Sequence, residues 1–181
     1  VISPTWFYIA DTSGNISNIA SADYVSQAHE KGLKVWGLID NFTQDVSTTE
    51  TLSSTAARQN MISQLIQAAV NVGMDGINVD FEALSKDAGE GYIQFIRELS
   101  LKCENNGIVL SVDNYVPMEY NLFYDRKEQG IVADYVIIMG YDEHYAGSTD
   151  AGSVSSLGFV KAGIEDTLKE VPAQKVINAI P

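Results

Sequence analysis

The chain is short of cysteine, proline and positive charge, and each shortage removes a class of explanation. One cysteine, Cys103, leaves no internal disulfide to hold a fold. It sits in a helical stripe and reads as a small core residue. Lys and Arg number 11 against 24 Asp and Glu, which sets the formal net charge at −13 and the sequence pI at about 4.3. So acidic a chain is a poor ligand for phosphate backbones and for anionic bilayers, which argues against nucleic acid as a partner. No apolar run approaches the roughly 20 residues of a transmembrane helix, so no membrane insertion is expected. No signal-peptide pattern is present either, but the chain begins at Val1 and reads as an excised piece, so this says little about export. A G-x-G-x-x-G turn is missing after the first apolar run, where "ADTSGN" stands, and no Walker A motif occurs anywhere.

What remains is ordinary globular material. The 181 residues are 45% hydrophobic, enough for one domain with a sizeable core. No exact repeat, low-complexity tract or linker divides residues 1–181, so they are read as a single domain.

Strand and helix patterns alternate along the chain. Strands are predicted over 2–10, 33–42, 75–82, 108–116, 134–142 and 175–180. Ser21 is placed to cap a helix that ends near Gly32. Met61, Leu65, Ala69 and Val72 form one helical stripe; Tyr92, Phe95, Ile96, Leu99 and Cys103 form another. A weaker helix is predicted near 121–130 and an amphipathic one over 155–170, before Pro172. Gly32, Gly73, Gly107 and Gly130 each precede a strand, as at the αβ junctions of parallel units. The irregular segments 11–20, 43–53, 83–90 and 143–154 all follow strand C-termini, where α/β folds carry function. The fold class is therefore α/β, either a doubly wound sheet or a (β/α)8 TIM barrel. A barrel typically needs eight strands in about 250 residues.

The stretch "MDGINVDFEAL" (74–84) is unlike an ordinary strand. A period of two puts Asn78, Asp80 and Glu82 on one face and Ile77, Val79 and Phe81 on the other. Burying two acids side by side is costly without a reason, of order 1–3 kcal/mol for each unpartnered polar group and more for charges. Three readings fit: a solvated edge strand, a carboxylate site for Mg²⁺ or Ca²⁺, or an acid–base pair in which one carboxyl is kept protonated by the other. In the last case Glu82, nearest the mouth, donates a proton to a leaving-group oxygen.

"DGINVDFE" resembles the D-x-x-D-x-D-x-E signature of family 18 glycoside hydrolases, the chitinase-type barrels. "YVIIMGYDEH" resembles that family's sixth strand, "LSVDNYVP" its fifth and "KVINAIP" the start of its seventh. "SPTWFYIADTSGNIS" and "KVWGLIDNF" are most similar to bacterial spore-cortex and cell-wall lytic members. The resemblance covers essentially the whole chain. It implies an incomplete TIM barrel running from strand 2 to strand 7.

It also implies roles. Glu82 matches the general acid/base, and Asp80 the residue that orients the 2-acetamido group of the substrate. That group is itself the nucleophile in a retaining, substrate-assisted reaction. Tyr141 matches the tyrosine on the acetamido carbonyl, Met139 a wall of the −1 subsite, Asp142 a sugar contact, and Asp75 the first, largely structural acid of the signature; Asn78 and Asp75 are counted with Met139 and Asp142 as substrate-binding positions. Asn78 departs from the signature, which has Asp there. An aspartate could share a proton with Asp80; the asparagine amide could instead donate to it.

The implied substrate is a glycan containing N-acetylglucosamine, from peptidoglycan, spore cortex or chitin, with no cofactor and no metal. The implied location is extracellular, cell-wall or spore-associated in a bacterium. The competing reading is a chitinase-like carbohydrate-binding protein without catalysis. Such proteins usually lose the acid, and Glu82 is present. The chain by itself is expected to be inactive and to self-associate through open barrel edges, "TWFYI" and "VINAI".

Among other residues, His29 reads as a solvated helix residue and His144 as a loop residue near the site. Trp6 and Trp36 read as core. Asp40, Asn41, Asp113, Asn114 and Tyr115 end strands on the functional face, with their inward or outward direction left open.

Overall fold

The computed structural model describes residues 1–181. Each expected strand forms, trimmed at its ends. They are β1 (Thr5–Ile9), β3 (Trp36–Asp40), β4 (Gly76–Asp80), β5 (Val109–Tyr115), β6 (Tyr135–Met139) and β7 (Val176–Ala179), joined by an unexpected β2 (Ile16–Asn18). β2 folds back on β1 as an antiparallel hairpin, pairing Phe7 with Asn18 and Ile9 with Ile16. All other neighbours are parallel, and the sheet runs β2-β1-β3-β4-β5-β6-β7.

The helices are α1 (Ala22–Glu30), α2 (Thr48–Ser53), α3 (Thr55–Val72), α4 (Gly89–Asn106), α5 (Arg126–Val132) and α6 (Leu157–Thr167). Ser21 caps α1 through the Tyr24 N–H, as its position predicts. α3 and α4 end on Gly73 and Gly107, with φ of 76° and 66°. That left-handed conformation costs a side chain and favours glycine, and it turns each helix back toward its strand. Gly130 departs from expectation. It lies inside α5, where an added Cβ would sit 3.2 Å from Val171 Cγ1, so close packing and not a junction explains it. The segment 43–53 is not wholly irregular either, because Ser47 caps α2 through the Glu50 N–H.

The two faces of the sheet differ as strand parity requires. Val35, Ile39, Ile77, Val79, Leu110 and Val112 pack outward in a buried cluster with Met61 and Leu65 of α3 and Phe95, Ile96, Leu99 and Cys103 of α4. Each such side chain contributes roughly 1.5–3 kcal/mol by leaving water. The other face curls inward. Trp36 on β3 stacks on Tyr135 on β6, with ring centroids 5.4 Å apart and planes inclined 25°, although β4 and β5 lie between their strands. Only a strongly coiled sheet brings those rings together. Gly76 makes the room, since a Cβ there would stand 2.4 Å from Trp36 Cδ1. Trp36 is thus interior packing, and Trp6 is likewise buried, edge-on to Tyr24.

The result is a barrel wall, open over these residues. β7 is one free edge. The other is β2 and not β1, because the hairpin occupies the outer side of "TWFYI". No helix is long and apolar enough to cross a membrane.

Candidate active site

Asp40, Asp80, Tyr115 and Met139 are the last residues of β3, β4, β5 and β6, so they gather at one end of the curled sheet. Register aligns them: Asp40 pairs with Asp80, and Tyr115 with Met139. Asn78 pairs with Ser111, so one residue-pair beyond Val79–Val112 Asp80 lies beside Asp113.

Glu82 lies just past β4 and is held from both sides. Its backbone N–H donates to Asn41 Oδ1 at 2.9 Å, and Asn41 Nδ2 returns a bond to the Glu82 carbonyl at 2.9 Å. Its carboxylate accepts a hydrogen bond from the Tyr115 hydroxyl at Oε2, 2.6 Å away. The same hydroxyl accepts from the Ala83 N–H at 3.2 Å. Ala83 has φ of 51°, a strained setting for a residue with a side chain, and it falls directly after Glu82. Burial, and then the Glu82 carboxylate, hold the Tyr115 phenol well above its ordinary pKa, so it stays a donor. No protein donor reaches Glu82 Oε1.

Asp80 and Asp113 lie near Glu82, deeper along the strands. Burial first, then Asp113, Glu82 and Asp40, push the Asp80 carboxyl up to about 7. Burial raises Asp113 to about 6 against the lowering bond from Asn78, with Glu82 adding to the rise. Asp80 Oδ1 and Asp113 Oδ1 are both buried without a hydrogen-bond partner. The Asn78 amide does not go to Asp80 as its position suggested. Nδ2 donates to Asp113 Oδ2 at 2.7 Å, and Oδ1 accepts from the Ser111 hydroxyl at 2.6 Å.

Beside these acids opens a cleft of about 500 Å³ whose lining includes Glu82, Tyr115, Tyr120, Met139, Tyr141 and Asp142 but neither Asp80 nor Asp113. Met139 and Tyr141 thus reach the space that Glu82 faces. Burial raises the Tyr141 phenol, with further contributions from Asp113, Asp80 and Glu82, so all three acids act on it. Asp142 is exposed at the rim with φ of 63°.

Asp75 does not join them. It precedes β4 at the opposite end of the sheet. Lys34 Nζ and His29 Nε2 each lie 2.7 Å from its carboxylate, and the Val35 N–H donates from 2.9 Å. Burial works to raise its pKa, but the bonds from Lys34, Val35 and His29 outweigh it and the pKa falls. Asp75 therefore clamps α1 and β3 to β4, and its substrate contact is set aside. His29 is correspondingly a paired residue and not merely a solvated one. His144 lies over Ser153, with Nδ1 3.0 Å from that carbonyl, and does not line the cleft.

Asn41, Asp113 and Tyr115 are the members that parity arguments alone left undirected. The outward packing of Leu110 and Val112 shows the missing signal: it sends Ser111, Asp113 and Tyr115 inward. No group of His, Cys, Asp and Glu gathers at metal-holding geometry. Chemically, the arrangement offers an oriented carboxyl with one free oxygen, two carboxyls with raised pKa near it, and phenols around an open cleft. Those are the parts of an acid–base site.

The chain has known relatives. It is 29% identical over 185 residues to the uncharacterized glycosylase YvbX of Bacillus subtilis, covering 94% of this chain and 53% of that protein. It is 28% identical over 144 residues to the cortical fragment-lytic enzyme of Bacillus anthracis, covering 76% of this chain and 33% of that protein. The chain therefore spans about half or less of the length of these curated relatives. Among solved structures, a chitinase from Chromobacterium violaceum superposes with a TM-score of 0.86 at 25% identity, covering 99% of this chain and 60% of that one. The family described as Glycosyl hydrolases family 18 matches residues 7–181, essentially the whole chain. The acidic strand, the curled parallel sheet and that match agree: the chain belongs to family 18 of the glycosyl hydrolases.

Proposed function

We propose that the whole protein is a glycoside hydrolase that cleaves β-1,4 linkages next to N-acetylglucosamine, with retention and assistance from the substrate's own acetamido group. The observation that carries this is the setting of Glu82. One carboxylate oxygen is bound by Tyr115, the other has no protein donor, and the residue lines an open cleft with Tyr141 and Met139. Glu82 is the general acid/base, giving its proton to the leaving glycosidic oxygen and recovering one from the incoming water. Asp80 orients the acetamido N–H and stabilises the charged oxazolinium-like intermediate. The Tyr141 hydroxyl donates to the acetamido carbonyl. Met139 walls the −1 sugar, and Asp142 contacts sugar at the rim.

Residues 1–181 are part of one catalytic domain in this reading. Peptidoglycan, including spore cortex, and chitin are the candidate substrates, in line with the names of the relatives. The working place is then outside the cell, at the wall or the spore. Because the barrel wall is open over these residues, the chain by itself is expected to turn over natural glycan poorly or not at all.

The test uses the full-length protein on peptidoglycan and on N-acetylglucosamine oligomers, with mass analysis of the new ends. Glu82→Gln should abolish hydrolysis and keep glycan binding, since the amide preserves shape but has no acid proton to give. Turnover near that of the unmodified protein would remove Glu82 from the acid role. Binding without turnover in the unmodified protein would favour the carbohydrate-binding alternative.

A further inference from the structure

The reaction assigned above leaves Asp113 without a part, yet it is placed among the reacting groups. It extends from β5 on the same face as Ser111, beside Asp80 of β4. Its two oxygens are unlike. Oδ2 is fixed by the Asn78 amide at 2.7 Å, and the Ser111 hydroxyl sets that amide's orientation by donating to Asn78 Oδ1 at 2.6 Å. Oδ1 is buried and has no partner, and the same holds for Asp80 Oδ1. A buried acceptor left unmade costs about 1–3 kcal/mol, so two on neighbouring carboxyls call for an explanation.

We propose that Asp113 is a positioning residue that shares one proton with Asp80, standing on β5 for the second acid that the family signature places at position 78 on β4. The inference rests on the role given to Asp80 under Proposed function. A single proton between the two Oδ1 atoms gives each a partner and leaves the pair with one negative charge instead of two. As the acetamido N–H turns to Asp80 and positive charge develops, the proton rests on Asp113 Oδ1 and Asp80 carries the full negative charge. No bond to carbon is made in this step. The proton only changes its share between two carboxyls. The titratable groups facing the pair are Asp40 from β3, Glu82 from beyond β4, Tyr141 from beyond β6, Tyr92 from α4 and Tyr124 from before α5, none of them a cation. Nothing nearby therefore allows both carboxyls to ionise easily. The raised values of about 7 for Asp80 and about 6 for Asp113 agree with this.

The test is a carboxyl ¹³C NMR titration of the full-length protein labelled at aspartate, beside the pH profile of glycan hydrolysis. In the unmodified protein Asp80 and Asp113 should titrate as a coupled pair in two steps. Asp113→Asn should lower the Asp80 titration by about one to two pH units and move the acid limb of the activity profile with it. Exchanging the two, in Asn78→Asp with Asp113→Asn, should restore the high Asp80 titration. Independent single-step titrations near the ordinary aspartate value in the unmodified protein would overturn the proposal, as would an unmoved Asp80 in folded Asp113→Asn. The unmodified protein decides the matter if that variant fails to fold. The titration needs no turnover, so a coupled pair in a protein that hydrolyses no glycan would sink the proposed function and leave the pair standing.

Discussion

The Tyr115 hydroxyl selects which oxygen of Glu82 meets the cleft. Its 2.6 Å bond occupies Oε2, and the Ala83 N–H in turn orients the phenol. Arg126 supports the same residue from behind, donating to the Tyr115 carbonyl at 3.1 Å and to Asn121 Oδ1 at 2.7 Å. Under the proposed function, Tyr115→Phe should lower kcat by about 10- to 100-fold with little change in KM, since it frees the acid to rotate without removing a sugar contact. It should also cost about 1 kcal/mol of stability for the lost bond. Steady-state kinetics on one oligomer, beside urea unfolding, checks both. An unchanged kcat would mean that the Asn41 backbone clamp alone orients Glu82.

Among the elements, β4 makes the site possible at both of its ends. Its C-terminal end carries Asp80, and its N-terminal end carries Gly76, whose missing side chain admits the Trp36 ring to stack on Tyr135. That stack ties β3 to β6 across the inside of the coiled sheet, whose β3, β4, β5 and β6 ends converge on the site. Gly76→Ala should force Trp36 off its position, because the new methyl meets a rigid indole and not the tip of a flexible chain. The expected loss is about 1–3 kcal/mol, read as a lower urea midpoint at unchanged m. The near-UV circular dichroism should change with it. A variant as stable as the original with the same near-UV spectrum would show that the coil is set by the helices instead.

At the scale of residues 1–181 taken together, the open sheet is the dominant fact. β2 is a poor template at one edge, with only 3 residues. β7 leaves a row of peptide groups unpaired at the other, next to Ile180, which is 72% exposed. These residues taken alone are therefore expected to self-associate through the β7 edge. The net charge of −13 opposes it, so association should strengthen as salt rises. Sedimentation at several protein concentrations and two ionic strengths measures this. A monomer throughout would show that β7 is protected by its own short length and twist.

The local rules needed no neighbours. Alternation in "GINVDFE" sent Ile77, Val79 and Phe81 to the helices and Asn78 and Asp80 inward, because a strand has a period of two whatever lies beside it. Ser21, Gly73 and Gly107 marked helix ends because caps and left-handed turns are chemistry of the chain itself. β2 was not legible, since 3 residues are too few to show a period and a hairpin return depends on the strand it meets. Nor was the partner of Asn78, because Asp80 and Asp113 are nearly equivalent on paper and only the register of β4 against β5, with the Ser111 hydroxyl, turns the amide to Asp113. Asp75 and Asp80 look alike in the motif, yet one strand length separates them and gives the first to Lys34 and His29 and the second to the company of Asp113 and Glu82. The residue types and their faces were thus determined by the sequence. Which acid meets which partner was decided by strand register and sheet coil, which arise only when distant segments pack together.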